Sequence, residues 1–159
     1  MTRLAITGHR GLPDESARLV EDGLRREVAR HDATALVGYS CLADGADVLF
    51  ARAVLDRGGS LVVVVPAAEY REGLPVEHVD TYDELVSRAE RVIRMDRIAS
   101  DPTAYMRAGE RMLDDADELV AVWDGKPARG FGGTGDVVEA ARQRRIPVAV
   151  VWPEGVRRA

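Results

Sequence analysis

Short, continuously apolar segments recur along the chain, and turn or charged residues separate them. Continuous rather than alternating hydrophobicity is typical of strands that are buried on both faces, as in a parallel sheet between two layers of helices. The pattern predicts five such strands and a sixth, weaker one. The five are 3–7, 35–39, 61–65, 118–123 and 147–152, and the weaker one is 91–95.

The segments between these strands carry apolar residues at helical spacing. Ala17, Val20, Leu24 and Val28 recur at intervals of three and four, which places them on one face of a helix. The predicted helices are 13–30, 44–57, 80–90, 103–116 and 135–144, the second of them ending at the Gly58-Gly59 stop.

The alternation of strand and helix predicts right-handed βαβ units. We therefore expect an α/β, Rossmann-like, doubly wound sheet, mostly parallel, of five to six strands with helices on both faces, formed as one domain from residues 1–159. The stretch 69–111 is more polar than the rest and has two interpretations: a lid or oligomer contact, or a solvated helical edge.

Composition and charge disfavour several classes of partner and location for the protein. The chain has 159 residues, 46% hydrophobic and 31% charged, with a net charge of -5, a sign that disfavours nonspecific binding to duplex nucleic acid. The longest aliphatic run, Leu61–Val65, is far shorter than a membrane span. Cys41 is the single cysteine, so the chain cannot form an internal disulfide. Its apolar surroundings in the sequence indicate that it packs as a small buried hydrophobic residue. We expect a cytoplasmic protein with no membrane and no duplex nucleic acid as partner.

The loops that follow the first, second and penultimate strands carry the candidate chemistry. In open α/β sheets a ligand lies beyond the carboxyl ends of the strands, where the strand order reverses. Glycine, arginine, histidine and acidic residues gather in these three loops. The candidate ligand-binding or phosphate-binding residues are Gly8, His9, Arg10, Gly45, Asp47, Asp124, Gly132, Gly133, Thr134, Gly135 and Asp136.

The segment from Gly132 to Gly135 is the strongest candidate for a phosphate cradle. Glycines let a backbone approach an anion, and the unpaired N–H groups of the following helix supply donors. Arg10 can bind an oxyanion through two nitrogens. The alternatives are a flexible turn at 132–135, a His9 that only hydrogen-bonds a neighbouring loop, and an Asp44 or Asp47 that only caps the second helix.

Cofactor and metal motifs are weak or missing from the sequence. His9, His31 and His78 are scattered without metal-ligand spacing, and we predict no metal. The spacing Gly130-x-Gly132-x-x-Gly135 matches a dinucleotide fingerprint, but it follows a late strand rather than the first one. The sequence has no P-loop motif, and we expect no cofactor.

Four motifs together resemble the SLOG superfamily of Rossmann-like nucleotide-binding proteins, and its YpsA-like and actinobacterial branch in particular. They are Thr7-Gly8-His9-Arg10, 43–47, 116–125 and 132–139, in the order that the family has them and over nearly the whole chain. The resemblance implies a homodimer that binds or senses a nucleotide or a nucleotide-derived ligand in a glycine-rich phosphate pocket.

A more distant similarity is to the LOG (lonely guy) nucleoside 5′-monophosphate phosphoribohydrolases, whose motif is Pro-Gly-Gly-x-Gly-Thr-x-x-Glu. Gly132, Gly133 and Gly135 match its glycines, while Phe131 and Asp136 stand where it has proline and threonine. This similarity implies the catalytic residues Glu139, serving hydrolysis of the N-glycosidic bond, and Arg107 or Arg111, holding the 5′-phosphate.

Two hypotheses follow, a nucleotide-binding module and a phosphoribohydrolase. A third, NAD-dependent oxidoreduction, is the least favoured because the turn after the first strand lacks the spaced glycines.

Overall fold

Across residues 1–158, which the computed structural model describes, six strands alternate with five α-helices. The strands are β1 (Thr2–Gly8), β2 (Leu36–Ser40), β3 (Ser60–Val65), β4 (Arg91–Arg94), β5 (Glu118–Val122) and β6 (Val148–Val150). The α-helices are α1 (Asp14–Val28), α2 (Ala46–Arg57), α3 (Val79–Ser87), α4 (Pro102–Asp115) and α5 (Thr134–Gln143). Short 3₁₀ turns lie at Ala33–Ala35, Arg71–Gly73 and Val76–His78.

The six strands form one sheet in the order β4-β3-β2-β1-β5-β6, and every neighbouring pair is parallel. The chain builds outward from β1 to β4, returns, and continues on the other side of β1 with β5 and β6. The strand order therefore reverses between β1 and β5, which pair from Leu4–Glu118 to Gly8–Val122. This sheet confirms the α/β, Rossmann-like, doubly wound prediction, and the weak sixth strand is real.

Both faces of the sheet are covered by helices. On one face, Leu4 and Ile6 of β1 pack with residues of α1 and α2, among them Phe50. On the other face, Ala5 packs with Met112 of α4 and Val138 of α5. Adjacent residues of one strand thus enter opposite layers, which is why the strands are continuously apolar.

The predicted element bounds differ from the observed ones by at most three residues, and several coincide. The stop after α2 is confirmed, with Gly58 in the left-handed conformation at φ 95°. The start of α2 was predicted two residues early. Its N-cap is Gly45 at φ 97°, and no side chain caps the helix, so the N-cap role considered for Asp44 and Asp47 is wrong.

The polar stretch 69–111 lies at one edge of the sheet, where β4 is the edge strand, and most of its residues are at least partly exposed. It contains α3, β4 and the start of α4, and Tyr70, Tyr82 and Leu85 in it are buried. Their polar neighbours in the sequence mask a regular strand-helix pattern.

None of the helices in residues 1–158 combines the length and the apolar character needed to cross a membrane.

Candidate functional site

A cleft of about 440 Å³ opens at the carboxyl ends of β1, β2 and β5, a size in the range of small-molecule sites. It lies at the point where the strand order reverses. The loops after these three strands meet there, together with one side of α4 and the C-terminal tail. Of the sequence-predicted residues, the cleft is lined by Gly8, His9, Arg10, Asp47, Gly132, Gly133 and Thr134.

The His9 side chain is only 4% exposed. It contacts Asp124 after β5, Thr134 at the start of α5 and Trp152 near the C-terminus. Its Nε2 accepts a hydrogen bond from the Asp124 backbone N–H at 3.3 Å, which leaves the ring proton on Nδ1. Nδ1 lies 3.5 Å from Thr134 Oγ1, and the ring meets Trp152 edge-on with centroids 5.5 Å apart. His9 therefore connects β1 to the segment after β5 and to the start of α5, and it also lines the cleft.

His9 is a neutral imidazole at neutral pH. Burial and the positive charge of Arg158 lower its pKa, although Asp124 acts in the opposite direction. The Lys126 backbone N–H donates to Asp124 Oδ1 at 3.0 Å, and Arg158 lies 3.7 Å from the other carboxylate oxygen. Asp124 itself does not line the cleft. Its carboxylate lies against His9 and Arg158, which do.

The start of α5 faces the cleft through Thr134, its first residue. The N–H groups of the first helical turn have no partner within the helix. Three amides of this segment are already engaged: Gly132 N–H donates to Asp136 Oδ2 at 2.9 Å, Gly133 N–H to the Gly130 carbonyl at 3.3 Å and Asp136 N–H to the Gly133 carbonyl at 3.1 Å. The Asp136 carboxylate therefore supports the loop from inside rather than facing the ligand space.

The glycines of this loop serve close packing as well as access. Gly132 has φ 81°, and a Cβ on it would lie 2.6 Å from the Pro102 carbonyl oxygen of α4. A Cβ on Gly135 would lie 2.8 Å from the Ala128 backbone nitrogen. The loop is thus packed closely against the start of α4 and against the chain segment that precedes it.

Asp47 lies on the opposite side of β1 from α5, in the first turn of α2. Its Oδ2 accepts a hydrogen bond from the Ala43 N–H at 3.2 Å. Burial raises the pKa of this carboxyl to about 7, with the Ala43 hydrogen bond and Arg10 opposing the rise. A carboxyl that titrates near neutral pH and lines a cleft marks a candidate functional group.

Three of the four charged side chains of residues 1–158 that line the cleft are cationic, and of these Arg10 and Arg158 each lie against a carboxylate outside the lining. Arg10, Arg129 and Arg158 contribute three cations, against the single Asp47 carboxyl among the lining side chains. Arg10 is fixed by Asp44, to which Nε and Nη2 donate at 2.9 and 2.7 Å. This balance favours an anionic ligand.

Sequence reasoning missed the aromatic and apolar walls of the cleft. Tyr70, Tyr105 and Phe131 line it, and Phe131 is 62% exposed. Tyr105 OH and Ser100 Oγ are hydrogen-bonded at 2.9 Å. The two tyrosines lie in the polar stretch 69–111, where no periodic signal pointed to a ligand. Arg158 lies in the C-terminal tail, which no motif includes.

Several predicted residues lie outside the lining. Gly45, Gly135 and Asp136 stand just behind it and shape the loops. Glu139, Arg107 and Arg111 are not among the lining residues, Glu139 and Arg107 are exposed, and Arg111 pairs with Asp115 at 3.0 Å. The structure therefore does not bring the three predicted catalytic residues into the cleft.

Cys41 is half-buried and lines the cleft beside Asp47. Burial, with the Asp47 charge adding to it, raises its thiol pKa well above the usual value, so the thiol stays protonated. It is a poor nucleophile, as expected.

At the other edge of the sheet, Glu27, His31 and Glu118 place one ligand atom each within 4.8 Å of one another. Glu27 is already held by Arg30, and no metal function is proposed for this group.

No protein-family model and no curated protein sequence matches the chain. Solved structures do match in fold. DNA processing protein A from Streptococcus pneumoniae aligns with a TM-score of 0.70 and 16% identity over 94% of this chain and 50% of its own. The Helicobacter pylori protein of that name, described as binding single-stranded DNA, aligns with a TM-score of 0.67 and 13% identity. That alignment covers 99% of this chain and 68% of the Helicobacter chain.

The molybdenum cofactor binding protein of Rippkaea orientalis aligns at a TM-score of 0.60 and 10% identity, over 94% of this chain and 75% of its own. The chain spans only half the length of the Streptococcus protein. At these identities the similarity shows a shared Rossmann-like fold and no more.

Proposed function

We propose that this chain is a SLOG-type protein that binds a nucleotide or nucleotide-derived phosphorylated ligand in the cleft at the β1–β5 switch point. The observation that carries the proposal is the meeting of the His9 loop and the 132–135 loop at that point, around a cleft with three arginines. Solved neighbours with SLOG-type folds support it. The YpsA-like branch stays a prediction.

The chemistry of the two ends of the cleft matches such a ligand. The start of α5, with Arg129 and Arg158, offers hydrogen-bond donors and positive charge to a phosphate. Tyr105, whose ring centroid lies 6.1 Å from that of Tyr70, offers flat apolar surface to a base. The proposal is confined to binding, because Glu139 is exposed and outside the lining.

Binding can be tested by thermal shift and calorimetry with mono-, di-, tri- and cyclic nucleotides, NAD and inorganic phosphate. A ligand at 100 times its dissociation constant stabilises the native state by about 2.7 kcal/mol. For a chain of this size that corresponds to a rise of roughly 5–11 °C in Tm.

A matched pair of variants locates the phosphate. Arg129→Ala should weaken nucleotide binding about tenfold or more, because a hydrogen bond to a charged group contributes about 1.5–3 kcal/mol. Lys126→Ala, in the same loop but outside the lining, should bind as the wild type does. If no nucleotide and no phosphate moves the melting curve, the proposed function is wrong.

A further inference from the structure

The two ends of the cleft are separated by the width of β1. The sheet order places β1 between β2 and β5, so the start of α2 and the start of α5 lie on either side of it. Two inter-strand spacings separate β2 from β5, which is about 10 Å. A nucleoside monophosphate bound along this line would place its phosphate at one end and its base at the other.

At the β2 end of the cleft, only one of the two oxygens of the Asp47 carboxyl accepts a hydrogen bond from residues 1–158. Oδ2 of Asp47 is held by the Ala43 N–H, whereas no group among residues 1–158 donates a hydrogen bond to Oδ1. Asp47 lines the cleft, so its carboxyl lies beside the ligand space. An ionised carboxylate can only accept hydrogen bonds.

The surroundings of Asp47 favour its ionised form once a donor is supplied. It lies in the first turn of α2, where the helix dipole favours negative charge. Arg10 adds positive charge, while burial, followed at a lower level by Asp44, opposes ionisation. Burial is therefore the main cost of ionising Asp47. A ligand N–H that donates to Oδ1 would replace the hydrogen bond from water that burial removes.

Two titratable neighbours of Asp47, the Cys41 thiol and the Tyr70 phenol, stay neutral between pH 6 and pH 8. The pKa of Cys41, on the loop after β2, is raised well above its usual value, by burial first. The pKa of Tyr70, on the segment after β3, is raised in the same way. Asp47, whose pKa is raised to about 7, does change charge in that range.

Resting on the proposed function, we propose that Asp47 selects nucleotides whose base presents two adjacent N–H donors, as guanine does with N1–H and its 2-amino group. Adenine presents a ring nitrogen acceptor beside its amino group, and that acceptor would face the carboxylate oxygen. The phosphate lies at the α5 end in both cases.

The test is calorimetric titration of GMP and AMP into the wild type at pH 6, 7 and 8. Both ligands carry the same phosphate, so its protonation cancels in the ratio of their affinities. GMP should be favoured about tenfold or more at pH 8, since each lost charge-assisted hydrogen bond costs about 1.5–3 kcal/mol. The ratio should fall about tenfold by pH 6, because the ionised fraction of a carboxyl with a pKa of about 7 falls by that factor.

Asp47→Asn should bring the ratio close to one and make it independent of pH. Asp56→Asn is the matched control, since Asp56 is an exposed partner of Arg25 outside the cleft lining, and it should keep the wild-type ratio and its pH dependence. If Asp47→Asn does not fold, as judged by circular dichroism, the wild-type pH series alone decides.

A preference for AMP, or a ratio that stays flat with pH, would overturn the role of Asp47 while leaving nucleotide binding intact. Failure of both nucleotides and of inorganic phosphate to bind would overturn the proposed function, and this inference with it.

Discussion

Replacing Asp47 by asparagine should make the free protein more stable at pH 8. The folded state raises the pKa of this carboxyl from 3.8 to about 7, chiefly through burial. A group whose pKa is raised in the folded state contributes stability below pH 3.8 and loses it progressively as the pH rises to about 7. At pH 8 the wild type therefore carries the full cost of a buried, ionised carboxylate.

The magnitude follows from the shift in pKa. Each unit corresponds to about 1.4 kcal/mol, so the shift of roughly three units sets an upper limit of about 4 kcal/mol at pH 8. The side-chain carbonyl of asparagine can still accept the Ala43 N–H, which preserves the local turn. Between pH 5.5 and the pKa of about 7 the cost changes by about 2 kcal/mol.

The assay is urea unfolding of the wild type and Asp47→Asn at pH 5.5 and pH 8. The advantage of asparagine should be larger at pH 8 by about 2 kcal/mol, since all other titrating groups are shared. Asp56→Asn should differ from the wild type by less than about 0.5 kcal/mol at both pH values. A destabilised Asp47→Asn at pH 8, or an advantage equal at the two pH values, would refute the reasoning.

Four further substitutions, one of them a control, test other parts of the site. Gly132→Ala should destabilise the fold by about 2 kcal/mol or more in urea unfolding, because the residue has φ 81° and its Cβ would lie 2.6 Å from the α4 backbone. Gly130→Ala, whose Cβ meets nothing within 4 Å, should be near neutral, and equal losses in the two variants would contradict the packing argument. Glu139→Ala should leave nucleotide affinity unchanged by calorimetry, and free base released by the wild type but not by this variant would restore the hydrolase hypothesis. Arg158→Ala should raise the pKa of His9 in an NMR titration, because burial and then Arg158 lower it, and an unchanged value would show that burial alone sets it.

The sequence by itself determined the layered architecture. Continuous apolar runs such as Leu61–Val65 can be satisfied only where both faces of a strand are covered, and helical spacing supplied the covering layers. The loops after β1 and β5 could be named as neighbours because the carboxyl ends of parallel strands share one edge. Gly58 ended α2 where expected, because the left-handed conformation there needs no Cβ.

Only the tertiary structure decided which side chains face the cleft. Glycines that permit approach to an anion and glycines that permit tight packing are identical in sequence. In the structure Gly135 serves packing, whereas Gly132 serves packing and also lines the cleft. The same holds for Asp47, whose pKa depends on burial by segments distant in the chain. Tyr105 and Arg158 joined the cleft through α4 and the C-terminal tail, because the chain returns to the switch point there and no local pattern records that return.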